Sequence, residues 1–449
     1  MSEDKSLLLE RDDIGCLLRR YAFPAIIAMI ASSLYNIIDS IFIGQKLGAL
    51  AISGLALTFP LMNLSAAFGT LVGVGGATLI SISLGRKDHT YARNVLGNVV
   101  ILSVIIGTLF TLFTLPFLDE ILYFFGGSDQ TIKYASDFMF IILCGNIFTH
   151  LFFGLNAIVR SSGNPKLAMM VTLFSVIINI ILALLFIFVF EWGIAGAASA
   201  TVISQFISLI WLIVIFMKRN KVVYFSREIF HFNKKIIFDI FSIGLAPFLL
   251  NAAACFVVIL INSSLQKYGG DLAIGAYGII NRVAFIFVMI IMGITQGMQP
   301  IVGYNYGAKL YSRVLQTYYK AVKWGVLVML IAFAAVELFP KSISMAFTTD
   351  KELVDIAIKG FRIVFIFFPI IGFQIVSSNL FQSIGKAKKS IFLSLTRQVI
   401  LLIPLIIILP SFMGIKGVWW AMPISDFVAT VITTFMVISQ VNQLKALAN

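Results

Sequence analysis

Gly48-Ala-Leu-Ala-Ile52 returns as Gly270-Asp-Leu-Ala-Ile274, and the interval of 222 residues between them decides how this chain is organised. The same interval carries Gly85 onto Gly307 and Gly163 onto Gly385, so three separate loops keep one register. With a shift of one, Gly193-Ile-Ala-Gly196 falls on Gly414-Ile-Lys-Gly417, and with slightly different shifts Pro24 pairs with Pro247 and Pro116 with Pro340. The order of these matches, more than any one of them, marks a parallel internal repeat.

What repeats is a set of apolar runs. The 449 residues are 60% apolar and only 12% charged, with mean hydropathy +1.00, whereas soluble domains are about 25% charged. Lipid is therefore the surrounding solvent. At about 20 residues per span, candidate helices fall at 17–44, 51–82, 93–118, 133–159, 166–190, 193–217, 236–266, 272–303, 314–339, 353–383, 389–411 and 414–440. The expected fold is an all-α integral membrane protein of twelve transmembrane helices in two six-helix lobes. Residues 1–217 form the N-lobe, 218–235 a cytoplasmic linker and 236–449 the C-lobe. An even number of helices per copy keeps the copies in one orientation, so a pseudo-twofold axis runs along the membrane normal with the substrate path between the lobes.

The net charge of +13 does not point to nucleic acid. Arg86, Lys87, Arg160, Lys166, Lys309, Lys386 and the basic stretch from Lys218 to Lys235 all stand with the N-terminus on one side, against only Lys46, Lys133, Lys267, Lys341, Lys351 and Lys416 on the other. By the positive-inside rule both termini are cytoplasmic. The linker reads as a solvated loop, with a lipid-binding or regulatory patch as the alternative.

A charge at the bilayer centre costs at least about 2.5–3.5 kcal/mol, so those kept there carry information. Four stand clear: Asp39, Arg282, Arg397 and Asp426. Asp39 shares a helical face with Asn36, and no cation in the first six spans is placed to neutralise it, which is what an ion relay needs. Asp426 has two equal readings, a structural ion pair with Arg282 or Arg397 and a second coupling site. Asp137, Asp239 and Glu337 lie near helix ends, where side chains snorkel.

Other signals are weaker. Cys16, Cys144 and Cys255 are too scattered for disulfides or a metal cluster and read as packing residues. Gly69-Thr-Leu-Val-Gly73-Val-Gly75-Gly76 has no following lysine and sits inside an apolar run; it reads as close helix packing rather than a phosphate loop. No ATP-binding sequence is present. His89, His150 and His231 lack metal-ligand spacing, and a cavity role for His150 is the lesser reading. The first apolar run is too long for a signal-peptide core, so no cleavage is expected.

Asp39-Ser-Ile-Phe-Ile-Gly44, Gly48-Ala-Leu-Ala-Ile-Ser-Gly54 and Gln296-Gly-Met-Gln-Pro-Ile-Val-Gly-Tyr-Asn-Tyr-Gly-Ala308 together resemble the multidrug and toxic compound extrusion family, in a bacterial branch. The resemblance implies an antiporter of the bacterial cytoplasmic membrane that acts as a monomer, uses no cofactor, and exports cationic and amphipathic drugs in exchange for Na⁺ or H⁺. It also implies a coupling site at Asp39, Asn179, Thr201 and the backbone of Ala197, where Na⁺ would take Asp39, Asn179 and Thr201 as ligands. Ala183 stands where many members keep another Asp or Asn, which weakens the sodium case, and Asn251 replaces an acid that some members carry. Asn36, Gln296, Gln299, Arg282 and Asp426 are the candidates for a substrate cavity or second coupling site, and Pro24 for a hinge.

Two other classes remain. A lipid-linked oligosaccharide flippase of related fold needs a strongly cationic cavity, for which only Arg282 and Arg397 are candidates. A membrane enzyme would need a histidine–acid pair or a metal set, against which the scattered histidines argue.

Overall fold

The computed structural model describes residues 7–218, 222–348 and 350–448, apart from the side chains at 36, 49 and 271. Among these residues the structure is helical and without strands. The long helices are α1 (Ile14–Leu47), α2 (Ala49–Gly85), α3 (His89–Phe124), α4 (Asp129–Cys144), α5 (Asn146–Ser161), α6 (Pro165–Val189) and α7 (Gly193–Met217). They continue as α8 (Lys234–Gly270), α9 (Leu272–Gly307), α10 (Tyr311–Leu338), α11 (Lys351–Val364), α12 (Phe368–Ser383), α13 (Ala387–Met413) and α14 (Ile415–Ala448). Ten are long and apolar enough to cross a bilayer alone, and twelve spans result when each of two bent pairs counts as one. The chain is a multi-pass membrane protein.

The bent pairs depart from the continuous runs expected at 133–159 and 353–383. Helices α4 and α5 meet at 55° and α11 and α12 at 54°. At the first bend, Gly145 closes α4 through its N–H to the Ile141 carbonyl, 3.0 Å. At the second, Pro369 in the first turn of α12 supplies no N–H, and the chain tightens there instead, with the Phe368 N–H donating to the Phe365 carbonyl at 2.9 Å. Hydropathy is blind to both features because no polar residue marks them. Pro24, the expected hinge, lies inside α1, which stays helical through it. Further irregularity comes as π-helical turns at Leu185–Val189 and Thr396–Leu402.

The backbone carries the sequence repeat. Gly48 and Gly270 have φ of 82° and 69°, Gly163 and Gly385 91° and 73°, Gly193 and Gly414 62° and 58°. These left-handed turns require residues without a Cβ. Lys87 and Lys309, also 222 residues apart, both take φ of 61° without that freedom, which marks the turn as a property of the repeat.

Two compact units are present. The first comprises Met1–Arg11 and Ile27–Phe248, the second Asp12–Ile26 and Leu249–Asn449. The division thus runs within α1, two residues past Pro24, and within α8. In the first unit, residues of the linker lie on α3. The Asn233 N–H donates to Asn98 Oδ1 at 3.0 Å, Arg93 Nη1 donates to the Tyr224 hydroxyl at 2.7 Å, and a Cβ on Gly97 would collide with the Ile229 carbonyl. The linker residues 219–221 lie outside the described residues. A Cβ on Gly75 would likewise strike the Ile240 carbonyl, and one on Gly244 the Leu71 carbonyl, so α2 and α8 approach backbone to backbone. Glycine spacing in α2 therefore serves packing. The cysteines are free; Cys16 and Cys144 are exposed rather than packed, and Cys255 is half-buried. Large side chains such as Phe113, Phe238 and Phe435 point outward, as a lipid surround allows.

Candidate functional site

Asp39 lies eight residues before the end of α1 and is 9% exposed. A small, partly open pocket of about 20 Å³ sits against it, lined by Tyr35, Ser40, Ile43, Met62, Phe138 and Thr201. Most of that wall is apolar, from Ile43 of α1, Leu55, Phe59 and Met62 of α2 and Phe138 of α4, and α2 and α7 contain no ionisable residue. Among the described residues no salt bridge reaches Asp39.

Its polar neighbour is Asn179 of α6, 2% exposed. The Asn179 amide faces Asp39 in one of two senses, and the choice follows from its hydrogen bonds rather than from its shape. With nitrogen toward the carboxylate, Nδ2 donates to Asp39 Oδ1 at 3.2 Å, while the amide oxygen accepts from Thr201 N at 3.3 Å and Thr201 Oγ1 at 3.1 Å. With the amide reversed, Nδ2 donates to Thr201 Oγ1 at 3.1 Å and the Thr201 hydroxyl donates to the Ala197 carbonyl at 3.2 Å. That second sense sets two oxygens against each other across 3.2 Å. The first sense satisfies both ends of the amide and is the one the hydrogen bonds select.

The four residues that the resemblance assigned to the coupling site, Asp39, Asn179, Ala197 and Thr201, are therefore neighbours. Their donor set is a carboxylate, an amide, a hydroxyl and a backbone carbonyl, all oxygen ligands of the kind a hard monovalent cation takes. Ala183 is fully buried in an apolar cluster with Ala197 and contributes nothing polar. The Asn36 side chain lies outside the described residues.

The second unit keeps its own charges. Arg397 Nε, on the π-helical turn of α13, donates to Asp426 Oδ1 of α14. Ser425 Oγ donates to the Arg397 carbonyl at 2.6 Å, which ties the irregular turn to the partner helix. Of the two arginines open to Asp426, it is Arg397 that bonds it, while Arg282 stands exposed on α9 and enters no salt bridge among the described residues. Gln299 is buried and Gln296 half-buried on α9, and Asn251 is exposed on α8. His150, for which a cavity role is the lesser reading of the sequence, has polar company in the structure. It is fully buried and within 3.2 Å of Ser65 Oγ, which itself donates to Asn146 Oδ1 at 2.5 Å.

Comparison with known proteins follows the repeat. The MatE family matches residues 24–185 and again 247–408, two stretches of equal length that together cover most of the chain. The chain belongs to the MatE family. This MatE chain is 29% identical to the multidrug export protein MepA of Staphylococcus haemolyticus over 99% of its own length and 98% of the relative's. It is 29% identical to MepA of Staphylococcus aureus strain MSSA476, covering 95% of this chain and 94% of that one. A crystal structure of a MATE protein in the bent conformation superposes with a TM-score of 0.93 at 25% identity and full coverage of both chains. The two-lobe, all-helical MatE fold is thereby established. The flippase alternative gains nothing here, since Arg397, one of the two arginines it needed, is already held by Asp426.

Proposed function

We propose that this chain is a secondary active multidrug exporter of the bacterial cytoplasmic membrane. Both termini are cytoplasmic, and a monomer exchanges cationic or amphipathic small molecules for H⁺ or Na⁺. The observation that carries this reading is the buried, bridge-free Asp39, met by the Asn179 amide nitrogen beside the Thr201 hydroxyl. In the unloaded state the Asn179 Nδ2 group donates to the carboxylate. A proton or sodium ion at Asp39 turns the amide oxygen toward it, and the released nitrogen then bonds Thr201 and, through its hydroxyl, the Ala197 carbonyl. Ion occupancy on α1 thus rewrites hydrogen bonds on α6 and α7. The cationic drug and the coupling ion compete for one negative charge, so they exclude one another.

The driving force is sufficient. One charge moving through 100 mV releases about 2.3 kcal/mol, enough for a drug gradient on the order of 50-fold at about 1.4 kcal/mol per decade. Proteoliposomes holding a fluorescent cation, with a pH or a Na⁺ gradient imposed, test the reading. Wild type exports under one gradient, and Asp39→Asn falls to the leak rate under both. Undiminished gradient-driven export by the variant would overturn the assignment.

A further inference from the structure

Among the described residues of the first unit, six buried polar atoms have no partner; besides His89 Nδ1 and Ser162 Oγ at helix ends, they are Ser103 Oγ on α3, Asn146 Nδ2 and His150 Nδ1 on α5, and Ser208 Oγ on α7. The last four belong to residues no more than 1% exposed. Buried hydroxyls elsewhere in these helices fold back onto a carbonyl of the preceding turn, as Ser81 does to Ala77 and Thr201 to Ala197. These do not. Leaving a buried polar group unsatisfied is costly, and bound water removes that cost.

Their placement is not scattered. Asn146, His150 and Gly154 follow at four-residue steps on one face of α5. Gly154 faces Ser103, whose Oγ would lie 3.2 Å from a Cβ there, so Ser103 is about one turn from His150. The link toward Asp39 is equally short. On α2, Met62 of the cavity wall stands three residues before Ser65. On α7, Thr201 is followed at helical spacing by Ser204, which donates to the Thr201 carbonyl at 2.9 Å, by Gln205, which accepts from Thr149 of α5, and by Ser208. A polar seam therefore begins one turn from the Asp39 cavity and runs toward the ends of α5 and α7 that carry Arg160 and Met217.

We propose that the Ser65–Asn146–His150 cluster binds water, and that this water, continued along Ser103 and Ser208, is the route by which the coupling proton moves between the Asp39 cavity and the interior of the first unit. The proposal rests on the reading of Asp39 as the coupling site, with a proton as the ion. His150 is well placed to pass a proton because both ring nitrogens are engaged: one meets Ser65, and Nδ1 meets the water. When a proton arrives at one nitrogen, the N–H bond at the other breaks, and no net charge stays on the ring. Other ionisable groups are remote. Neither α2 nor α7 has any, α3 has His89, Tyr91 and Arg93 in its first turns and Asp119, Glu120 and Tyr123 at its far end, and α5 has only Arg160 besides. Helix α4 brings Asp129, Lys133, Tyr134, Asp137 and Cys144, and α6 brings Lys166. None of them bonds His150 among the described residues.

The protein has three histidines, which makes a direct test practical. Full-length protein with ¹⁵N-histidine, carrying His89→Gln and His231→Gln, is placed in lipid bilayers and read by water-edited solid-state NMR. Rapid transfer of magnetisation from water to a His150 ring nitrogen is expected, and a His150 ring that stays dry overturns the proposal without any appeal to transport. In proteoliposomes, His150→Phe and Asn146→Leu should each slow pH-driven export at least tenfold while equilibrium drug affinity holds. If Asp39→Asn loses export but both seam variants run at the wild-type rate, the seam proposal alone fails. If Asp39→Asn exports normally, the coupling reading beneath it fails first.

Discussion

Asn179 stands 3.2 Å from Asp39 and 3.1 Å from the Thr201 hydroxyl, so one amide joins the carboxylate of α1 to the backbone of α7. Three helices share a single amide dipole. Its removal should therefore act on ion binding rather than on the drug.

Asn179→Ala takes away a hydrogen bond to a charged group, worth about 1.5–3 kcal/mol. Because that bond holds the unloaded carboxylate, losing it should tighten proton binding, and the half-saturating proton concentration should fall roughly 10- to 100-fold by the same free-energy scale. Thr201→Val removes only a neutral hydroxyl, about 1 kcal/mol, and should shift it about fivefold. Ion titrations of gradient-driven export read both, with drug affinity measured separately by fluorescence anisotropy. Equal shifts in ion and drug affinity would argue against a role in coupling.

The pair of half-buried Arg397 and buried Asp426 predicts non-additive stability. Removing Arg397 leaves Asp426 as an uncompensated buried charge, which costs about 3–5 kcal/mol; removing Asp426 costs less. Asp426→Leu and Arg397→Met should each lower the thermal midpoint in detergent. The double variant should lose less than either single change, because no bare charge remains. Additive losses would mean the two side chains act independently.

Close packing of α2 on α8 gives a steric prediction. At Gly244 a methyl group meets the Leu71 carbonyl, a backbone atom that cannot swing aside. Gly244→Ala should destabilise by about 1–3 kcal/mol, as overpacking does. Gly278→Ala, where a Cβ meets nothing within 4 Å, should be neutral or mildly stabilising and is the control. Thermal unfolding of the two in one detergent separates the effects.

Much of this was legible before any coordinates. Asp39 announces itself because carboxylates are expensive in hydrocarbon, and the loop glycines announce the repeat because a left-handed turn has few sequence solutions. Asn179, Ala197 and Thr201 entered only by resemblance, since an amide, a methyl and a hydroxyl in an apolar run carry no signal of their own. The partner of Asp426 was narrowed to two arginines, and geometry alone chose Arg397. The bends at Gly145 and before Pro369 were hidden, because hydropathy averages over a break that changes direction without changing polarity. The contact of His150 with Ser65 was hidden for a related reason: Ser65 lies 85 residues from it, and no local spacing could bring them together.

Asp13 caps the first membrane helix and supplies the pH test. Its Oδ2 accepts from the Gly15 N–H at 2.6 Å and the Cys16 N–H at 3.0 Å, and Lys320 lies 3.7 Å from Oδ1. The Cys16 and Gly15 backbone donors, followed by the Lys320 charge, hold the carboxyl below its ordinary value of 3.8. A depressed carboxylate contributes stability that is whole above the unfolded value and fades as pH falls through the folded one. Asp13→Ala should therefore lower the thermal midpoint by a constant amount from neutral pH down to about the ordinary value, and the gap to wild type should close in stronger acid. Thermal unfolding of both proteins across that range checks it. A gap that widens on acidification would mean that the protonated carboxyl, not the carboxylate, serves as the cap.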